Sequence, residues 1–398
     1  MQFLSEEMSG HLKNSSWIRK MFEAGIELRK EFGDENVYDF SLGNPDLPPP
    51  AKVKETLHKI ADGILDPFSL GYMPNGGYVE FREALAAKLS KEQGVSIPMS
   101  NVIATCGAAG GLNVFFRTAL EKGDKVLVPA PYFMEYNFYT SNFGGKLVPV
   151  KSKDFTFELD VEAIKAAITP ECRALILNSP NNPTGQIYSR REISELAAVL
   201  LAKSEEYGRP IYLISDEPYR FLNYDNMDIP SLFELYPYSV VIGSYSKSLS
   251  LAGERIGYIA VNLAIGADAA PLMGGLIMSN RILGFVNAPA LAQKILIDCI
   301  DEEVDMNVYL KRRNAMAEVL DRAGIEYTMP KGAFYFFPKA PGGDEGRFMD
   351  ALVRNHVLAV PGVGFGCPGY FRMTFCVSED VIYRASDAIC KAASECKN

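Results

Sequence analysis

The sequence predicts an α/β protein: a mostly parallel sheet sandwiched by helices in a large domain, plus a smaller α+β domain toward the C-terminus. Three features carry that expectation. Several short runs are continuously apolar and bounded by Pro, Gly, Asn or Asp, as strands buried on both faces are. Between them lie stretches with the apolar period of helices, so strand and helix alternate. Past about residue 290 that alternation gives way to a different pattern. The chain has 398 residues, which at ~150 residues per domain suits two domains, or three small ones.

In chain order, residues 15–32 place apolar side chains at 17, 18, 21, 22, 25, 26 and 28, the spacing of an amphipathic helix. Residues 37–50 (VYDFSLGNPDLPPP) read as a short strand and a Gly/Pro-rich stop, suited to a domain crossing or a site loop. Helical periodicity recurs at 78–93, 111–121, 160–168 and 189–207. Residues 101–121 give a strand, a Gly/Ala turn and a helix. Parallel strands are expected at 125–129, 174–178, 211–215, 240–244 and 258–261, because these runs are β-rich without polar alternation. A long helical stretch follows at 290–323, then GIEYTMPKGAFYFFP at 324–338, a helix near 345–355, a strand, and a terminal helix near 379–395. No repeat with a period of 20–50 residues is present.

Composition narrows the function classes. At 48% hydrophobic and 22% charged residues the chain is an ordinary globular one, which excludes disorder and low complexity. The formal net charge is −9 and there is no basic block, so neither nucleic acid nor an anionic membrane is the expected partner. The 7 cysteines (Cys106, Cys172, Cys299, Cys367, Cys376, Cys390, Cys396) are odd in number and scattered, with no CxxC pair. That argues against a disulfide framework or zinc site. His11, His58 and His356 form no ligand pattern, so no metal is expected. The N-terminus has early acids and no apolar core of a signal peptide, and no window is apolar enough to span a membrane. A cytoplasmic enzyme is the expectation.

An open parallel sheet places its chemistry at the carboxyl ends of its strands. After 174–178 comes Asn178-Ser-Pro-Asn-Asn-Pro-Thr-Gly185; after 211–215 comes Asp216-Glu-Pro-Tyr219; after 240–244 come Ser244-Tyr-Ser-Lys247 and then Arg255. Each has an ordinary explanation alone. NNPTG makes a turn, Asp216 can cap a helix, and Lys247 can be one surface lysine among many. Together they match one chemistry. A lysine ending an apolar strand is placed to be desolvated, and its neutral amine can form a Schiff base. A phosphate-bearing aldehyde cofactor needs an anion site, which Ser244 and Arg255 supply on either side of the lysine. Its pyridinium nitrogen needs a fixed anion, which Asp216 offers, and its phenolate oxygen needs donors, which Asn182 and Tyr219 offer.

On these residues the sequence resembles the pyridoxal-phosphate (PLP) aminotransferases of fold type I, the aspartate-aminotransferase superfamily of class I/II. The run S-x-S-K-x7-R-x-G at 244–257, NPTG at 182–185 and D-x-x-Y at 216–219 carry the resemblance, and matching elements run in order from Gly43 to Arg372. The resemblance implies that Lys247 carries pyridoxal 5'-phosphate as the internal aldimine and moves the proton of the 1,3-shift. It implies that Asp216 holds the pyridinium proton, that Asn182 and Tyr219 bond the ring hydroxyl, and that Ser244, Ser246 and Arg255 bind the phosphate. It also implies a large PLP-binding domain at 46–290, a smaller α+β domain formed by the N- and C-terminal segments, 1–45 and 291–398, and a homodimer with shared active sites.

Other segments extend the match. A Gly/Ala turn opening a helix makes a phosphate site from backbone N–H groups. The resemblance places Gly107, Ala108 and Ala109 there. The rival reading, a dinucleotide loop, lacks G-x-G-x-x-G and an acid after the next strand. In PAPYFMEY at 129–136 an aromatic would stack on the pyridine ring; the resemblance favours Phe133, with Tyr132 next to it. It makes Tyr72 the tyrosine that reaches the neighbouring subunit's phosphate. It puts the substrate α-carboxylate on Arg372, with Gly43 approaching from the crossing loop, and Asn182 beside both cofactor and substrate. A second cation for a dicarboxylate would be Arg281, with Ile282 the apolar alternative.

The implied reaction moves an amino group from an L-amino acid to a 2-oxo acid, 2-oxoglutarate foremost, by a ping-pong mechanism. A PLP-dependent C–S β-lyase or another fold type I enzyme would use the same Lys, Asp and Arg. A DNA-binding regulator with a PLP domain would need an added basic helix-turn-helix, and the motifs begin already at Gly43.

Overall fold

The structure, a computed structural model, describes residues 3–13 and 17–396. The chain divides into two compact units: the smaller from Met1–Asn44, Asn307–Pro330 and Phe334–Asn398, the larger from Pro45–Met306 and Lys331–Ala333. The helix expected from 15 onward is described over Trp17–Phe32; residues 15 and 16 lie outside the described residues.

Helices α1 (Glu6–Lys13) and α2 (Trp17–Phe32) precede the short strand β1 (Tyr38–Asp39) in the smaller unit. The larger unit opens with α3 (Ala51–Asp62) and α4 (Val79–Gln93). Helix α4 buries Phe81, Leu85 and Leu89, one turn apart, and stops at Gly94, whose left-handed φ of 65° ends a helix at no side-chain cost. Strand β2 (Val102–Thr105) runs into α5 (Gly107–Ala119), and β3 (Lys125–Ala130) leads to α6 (Glu135–Ser141) and β4 (Lys146–Lys151). Helix α7 (Val161–Ala167) starts on Asp160, whose carboxylate accepts from the Ala163 N–H at 2.9 Å. After β5 (Cys172–Asn178), α8 (Arg190–Tyr207) carries a capping box of Ser189 and Glu192 and ends at left-handed Gly208. Then come β6 (Tyr212–Asp216), α9 (Leu232–Leu235), β7 (Ser239–Ser244), β8 (Gly257–Val261), α10 (Ala269–Ile282) and α11 (Ala290–Cys299).

The seven strands of the larger unit lie in the order β2-β8-β7-β6-β5-β3-β4. Strands β3 to β7 are mutually parallel, which needs a crossover between each pair, and the helices provide it. Alternate residues go to opposite faces and both sets are apolar. Ile176, Ile214, Ile242 and Ile259 enter one core layer, while Leu175, Leu177 and Leu213 enter another and Val241 and Ala260 a third. The β8 segment, expected as a parallel strand, runs antiparallel to both β7 and β2. The connection from β7 to β8 carries no α-helix, only a short 3₁₀ turn at Ala252–Glu254, and returns the chain beside β7 from the same end, as an antiparallel pair requires. Strand β4 was not anticipated: Pro149 and a polar alternation hide it, and both are tolerated because it is the sheet edge.

The helical stretch expected over 290–323 is two helices, α11 and α12 (Met306–Ala323). Between them the Val304 N–H donates to Ser248 O (2.8 Å) and Lys88 Nζ donates to Ile300 O (2.9 Å), so the break in the helix is tied to the loop after β7 and to α4. The α11 face is buried among residues of α4, β2 and β8, which moves the boundary expected at 290 to Met306. In the smaller unit β9 (Tyr335–Phe336), α13 (Glu345–Arg354), β10 (Val357–Leu358), β11 (Val360–Pro361) and β12 (Phe371–Thr374) follow. The expected terminal helix is interrupted at Ala385 into α14 (Glu379–Arg384) and α15 (Ser386–Cys396). Strands β11, β12 and β9 form an antiparallel sheet and β1 pairs with β10 in parallel. Aromatic pairs such as Phe348–Phe371 (4.9 Å) and Phe336–Phe375 (5.7 Å) fill its core. Among the described residues no helix is long and apolar enough to cross a membrane.

Candidate active site

In the larger unit the parallel register brings the ends of β5, β6 and β7 side by side, with Asn178 opposite Asp216 and Asp216 opposite Ile242. Asn178, at the end of β5, ties two of them together. Its Nδ2 donates to Asp216 O (2.9 Å) and its Oδ1 accepts from the Asn182 N–H (2.6 Å). The NNPTG loop is thus hung from the β6 end by one side chain. Within it Asn181 Oδ1 accepts from the Thr184 N–H and hydroxyl, and the loop, Asn182 included, is buried.

Asp216 is buried, and its carboxylate has two different oxygens. Oδ2 accepts from Tyr136 Oη at 2.5 Å, while buried Oδ1 has no hydrogen-bond partner among the described residues. Burial pushes the Asp216 carboxyl up to about 7; the Tyr136 hydrogen bond pulls it down and Glu217 adds to the rise. A buried orphan oxygen is costly unless something donates to it. A protonated ring nitrogen is such a donor, and it would favour the charged carboxylate.

A second cradle lies at the other end of the same unit's strand-end surface. The N-terminus of α5 leaves its first N–H groups, including those of Ala108 and Ala109, without helical partners. Gly107 has φ +71°, and a Cβ there would sit 2.7 Å from Arg255 Nη2, so the guanidinium lies over this turn. Gly257, opposite Ser244 in the sheet, faces the same turn: its Cβ would meet Gly107 C at 2.6 Å and Ala108 N at 2.9 Å. Bare backbone, the exposed Arg255 and the end of β7 therefore converge on one anion-shaped place. Arg255 itself is left-handed (φ 52°) and donates from Nη1 to Ala252 O (2.9 Å). Lys247 stands in the turn after β7, half-buried, with Ser246 buried beside it; Tyr219 is buried after β6.

Of the two aromatic candidates, Tyr132 is buried in the core and accepts from Asn137 Nδ2 (3.1 Å). Phe133 is half-buried and meets Tyr136 edge-on at 5.6 Å, which sets it beside the Asp216 carboxylate's own partner. Both cradles fit the cofactor the resemblance implies: an orphan oxygen for the ring nitrogen and a glycine-bared turn with an arginine for the phosphate.

In the smaller unit Arg372, on β12, is 2% exposed. Its guanidinium lies between the rings of Tyr335 (4.4 Å) and Phe365 (4.8 Å), and its Nη2 donates to Ser41 O (2.7 Å). Gly43 lies directly under Tyr335: a Cβ there would fall 2.0 Å from the Tyr335 hydroxyl, so only glycine fits. Tyr72 is 93% exposed, and Arg281 is exposed in the last turn of α10 with Ile282 beside it.

Sequence reasoning missed Tyr136 and the double role of Asn178. The signal for Tyr136 was its place three residues after Phe133, on the turn of helix that returns toward the sheet. Asn178 was visible only as the last residue of a strand.

Comparison with known proteins follows the same line. Residues 35–389 match the family model described as aminotransferase class I and II. The chain is similar to a probable aspartate/prephenate aminotransferase of Aquifex aeolicus, 32% identical over 97% of each chain. It is similar to aromatic-amino-acid aminotransferase 2 of Thermococcus litoralis, 29% identical over 96% of this chain and 97% of the other. Among solved structures it resembles an aminotransferase from Eubacterium rectale, with a TM-score of 0.94, 38% identity and full coverage of both chains.

Proposed function

The chain belongs to the class I and II aminotransferase family, and from that premise we propose that it moves an amino group from an L-amino acid to a 2-oxo acid, 2-oxoglutarate foremost, by a ping-pong mechanism. The observation that carries the reading is the unpartnered Asp216 Oδ1, in the unit that also holds the bare α5 turn with Arg255 above it. When bound, pyridoxal 5'-phosphate supplies the electron sink and the aldehyde carbon that carries the amino group.

The chain's own residues then divide the work. Lys247 would hold the cofactor covalently through its amine and, once the substrate's amino group has displaced it, would serve as the base and acid of the proton transfer. Asp216 keeps the ring nitrogen protonated, since an anion beside it favours the cationic form. Tyr219 and Asn182 orient the ring hydroxyl. Gly107, Ala108, Ala109, Ser244, Ser246 and Arg255 bind the phosphate, and Phe133 covers a ring face. Arg372, held flat by its two rings, takes the substrate α-carboxylate, with Gly43 and Asn182 as companions, and Arg281 reads a second carboxylate where the donor has one.

The working form is a cytoplasmic homodimer. Leu65, Phe68 and Tyr72 are each more than 90% exposed, an apolar segment that a second copy would cover, bringing the partner subunit's Tyr72 to the phosphate. The odd number and scatter of the cysteines support the compartment.

Borohydride treatment of the yellow holoenzyme tests the core of this reading: it should bleach the colour and fix a pyridoxyl group on Lys247, and Lys247→Ala should lose both, with turnover down by about 10³ or more. An adduct on another lysine sinks the assignment. A panel of amino donors with 2-oxoglutarate gives the substrate; pyruvate and ammonia released without a 2-oxo acid would mean a lyase. In the same panel Arg281→Leu should lower the aspartate-to-alanine ratio of kcat/KM, and an unchanged ratio removes Arg281 from the site.

A further inference from the structure

We infer that Tyr136 is a positioning residue for the cofactor ring: its phenol holds one oxygen of Asp216 so that the other, ionised and unshared, faces the ring nitrogen. The inference rests on the PLP reading above but is not part of it, since Asp216 serves that reading with or without a partner.

The geometry is specific. Tyr136 is fully buried, and its hydroxyl donates to Asp216 Oδ2 at 2.5 Å, the only donor to that carboxylate among the described residues. Both ends of the bond are fixed. The Tyr136 N–H donates to Phe133 O (3.1 Å), and Asn137 Nδ2 ties the same turn to Met134 O (3.0 Å) and Tyr132 Oη (3.1 Å). On the other side Asn178 holds Asp216 O (2.9 Å), and the Glu217 N–H donates to Ile242 O (2.8 Å). A carboxylate whose backbone is pinned and whose Oδ2 is taken has one direction left for Oδ1.

The chemistry follows from burial. A carboxyl in this setting drifts toward the neutral acid, and a neutral acid offers a proton to the ring nitrogen instead of accepting one. A donor to the charged form opposes that drift. The groups that interact with Asp216 are Tyr136 and Tyr139 from α6 and Glu217 beside it, with neutral Asn178 from β5 on its backbone; Tyr219 and Tyr139 act on Tyr136, and Glu135 and Arg255 act on Tyr139. Of these Tyr136 alone donates to the carboxylate. Removing its hydroxyl leaves both oxygens without a donor, so Asp216 should hold its proton to a higher pH.

The experiment measures how tightly the apo chain binds pyridoxal 5'-phosphate and its ring analogue with carbon in place of nitrogen, from pH 6 to 9. In the wild type the natural cofactor should bind more tightly than the analogue, and that advantage should shrink as pH falls below about 7. Tyr136→Phe keeps the buried ring. It should weaken the natural cofactor about 10- to 100-fold at pH 7, with recovery toward pH 9, and leave the analogue within about twofold. In an Asp216→Asn background the same change should have no further effect. Equal weakening of both compounds at every pH, or a full effect on top of Asp216→Asn, would overturn the inference and leave Tyr136 as packing. A wild type that binds neither compound would instead remove the PLP reading itself.

Discussion

Two arginines show two ways of building an anion site. Arg372 in the smaller unit is enclosed: two aromatic rings flank its guanidinium and a backbone carbonyl takes one N–H. Arg255 in the larger unit is exposed, held by one contact to Ala252 O, and stands over a turn of bare N–H groups. Close by in sequence logic, Asp216 is half complete, with one oxygen bonded and one not. The first region is packed around by the chain itself; the second presents bare backbone N–H groups and an orphan carboxylate oxygen. A planar fork pressed between rings keeps its direction, which suits a small carboxylate that every donor shares. An open cradle suits a dianion that brings its own charge and completes the hydrogen bonds on arrival.

Breaking the enclosed site should have the larger effect. Arg372→Leu should cut kcat/KM for alanine, aromatic and acidic donors alike by about 10²–10⁴, because a carboxylate would meet no buried partner. Cofactor affinity should change little. Arg372→Lys should recover only a small part, since a point charge cannot fork. Loss confined to one donor class would show that Arg372 does not read the common carboxylate.

The open region should reveal itself in the pH dependence of the apo chain. The folded Asp216 pKa of about 7 lies above the usual 3.8, so between those values the folded chain holds more protons than the unfolded one. Stability from this group is therefore present at low pH and lost as pH rises toward 7, by up to about 4 kcal/mol. Denaturant unfolding of the apo chain at pH 5 and pH 8, beside Asp216→Asn, measures it: the variant should show a flatter profile. Equal slopes would mean that the orphan oxygen is already satisfied in solution.

The smallest change is Gly107→Ala. The left-handed φ disfavours a Cβ by about 1 kcal/mol, and the methyl would press on the flexible end of Arg255. Cofactor affinity should fall about tenfold with the fold intact, checked by titration of the apo chain. An unchanged affinity would show that Arg255 does not serve the phosphate from this position.

Much of this was legible from the sequence. Strand ends are marked where an apolar run meets Asn178, Asp216 or Ser244, because the middles of strands buried on both faces are almost wholly apolar. Turn chemistry likewise marked Gly107 and the NPTG loop. Less legible was direction: β8 reads like its parallel neighbours, since an apolar run does not say which way it runs beside another. The break between α11 and α12 was hidden as well, because the hydrogen bonds that tie it down reach to Ser248 and Lys88, far away in sequence.

By itself, then, the sequence determined which residue types stand at the ends of the strands and so which chemistry the chain can perform, because local patterns of burial and turn formation are short-range. Only the tertiary structure decided which atoms of those residues are used. The two oxygens of Asp216 are chemically identical until Tyr136, 80 residues away, bonds one of them, and the guanidinium of Arg372 has no preferred plane until Tyr335 and Phe365 close on it. Such choices depend on contacts between distant parts of the chain, and no local pattern encodes them.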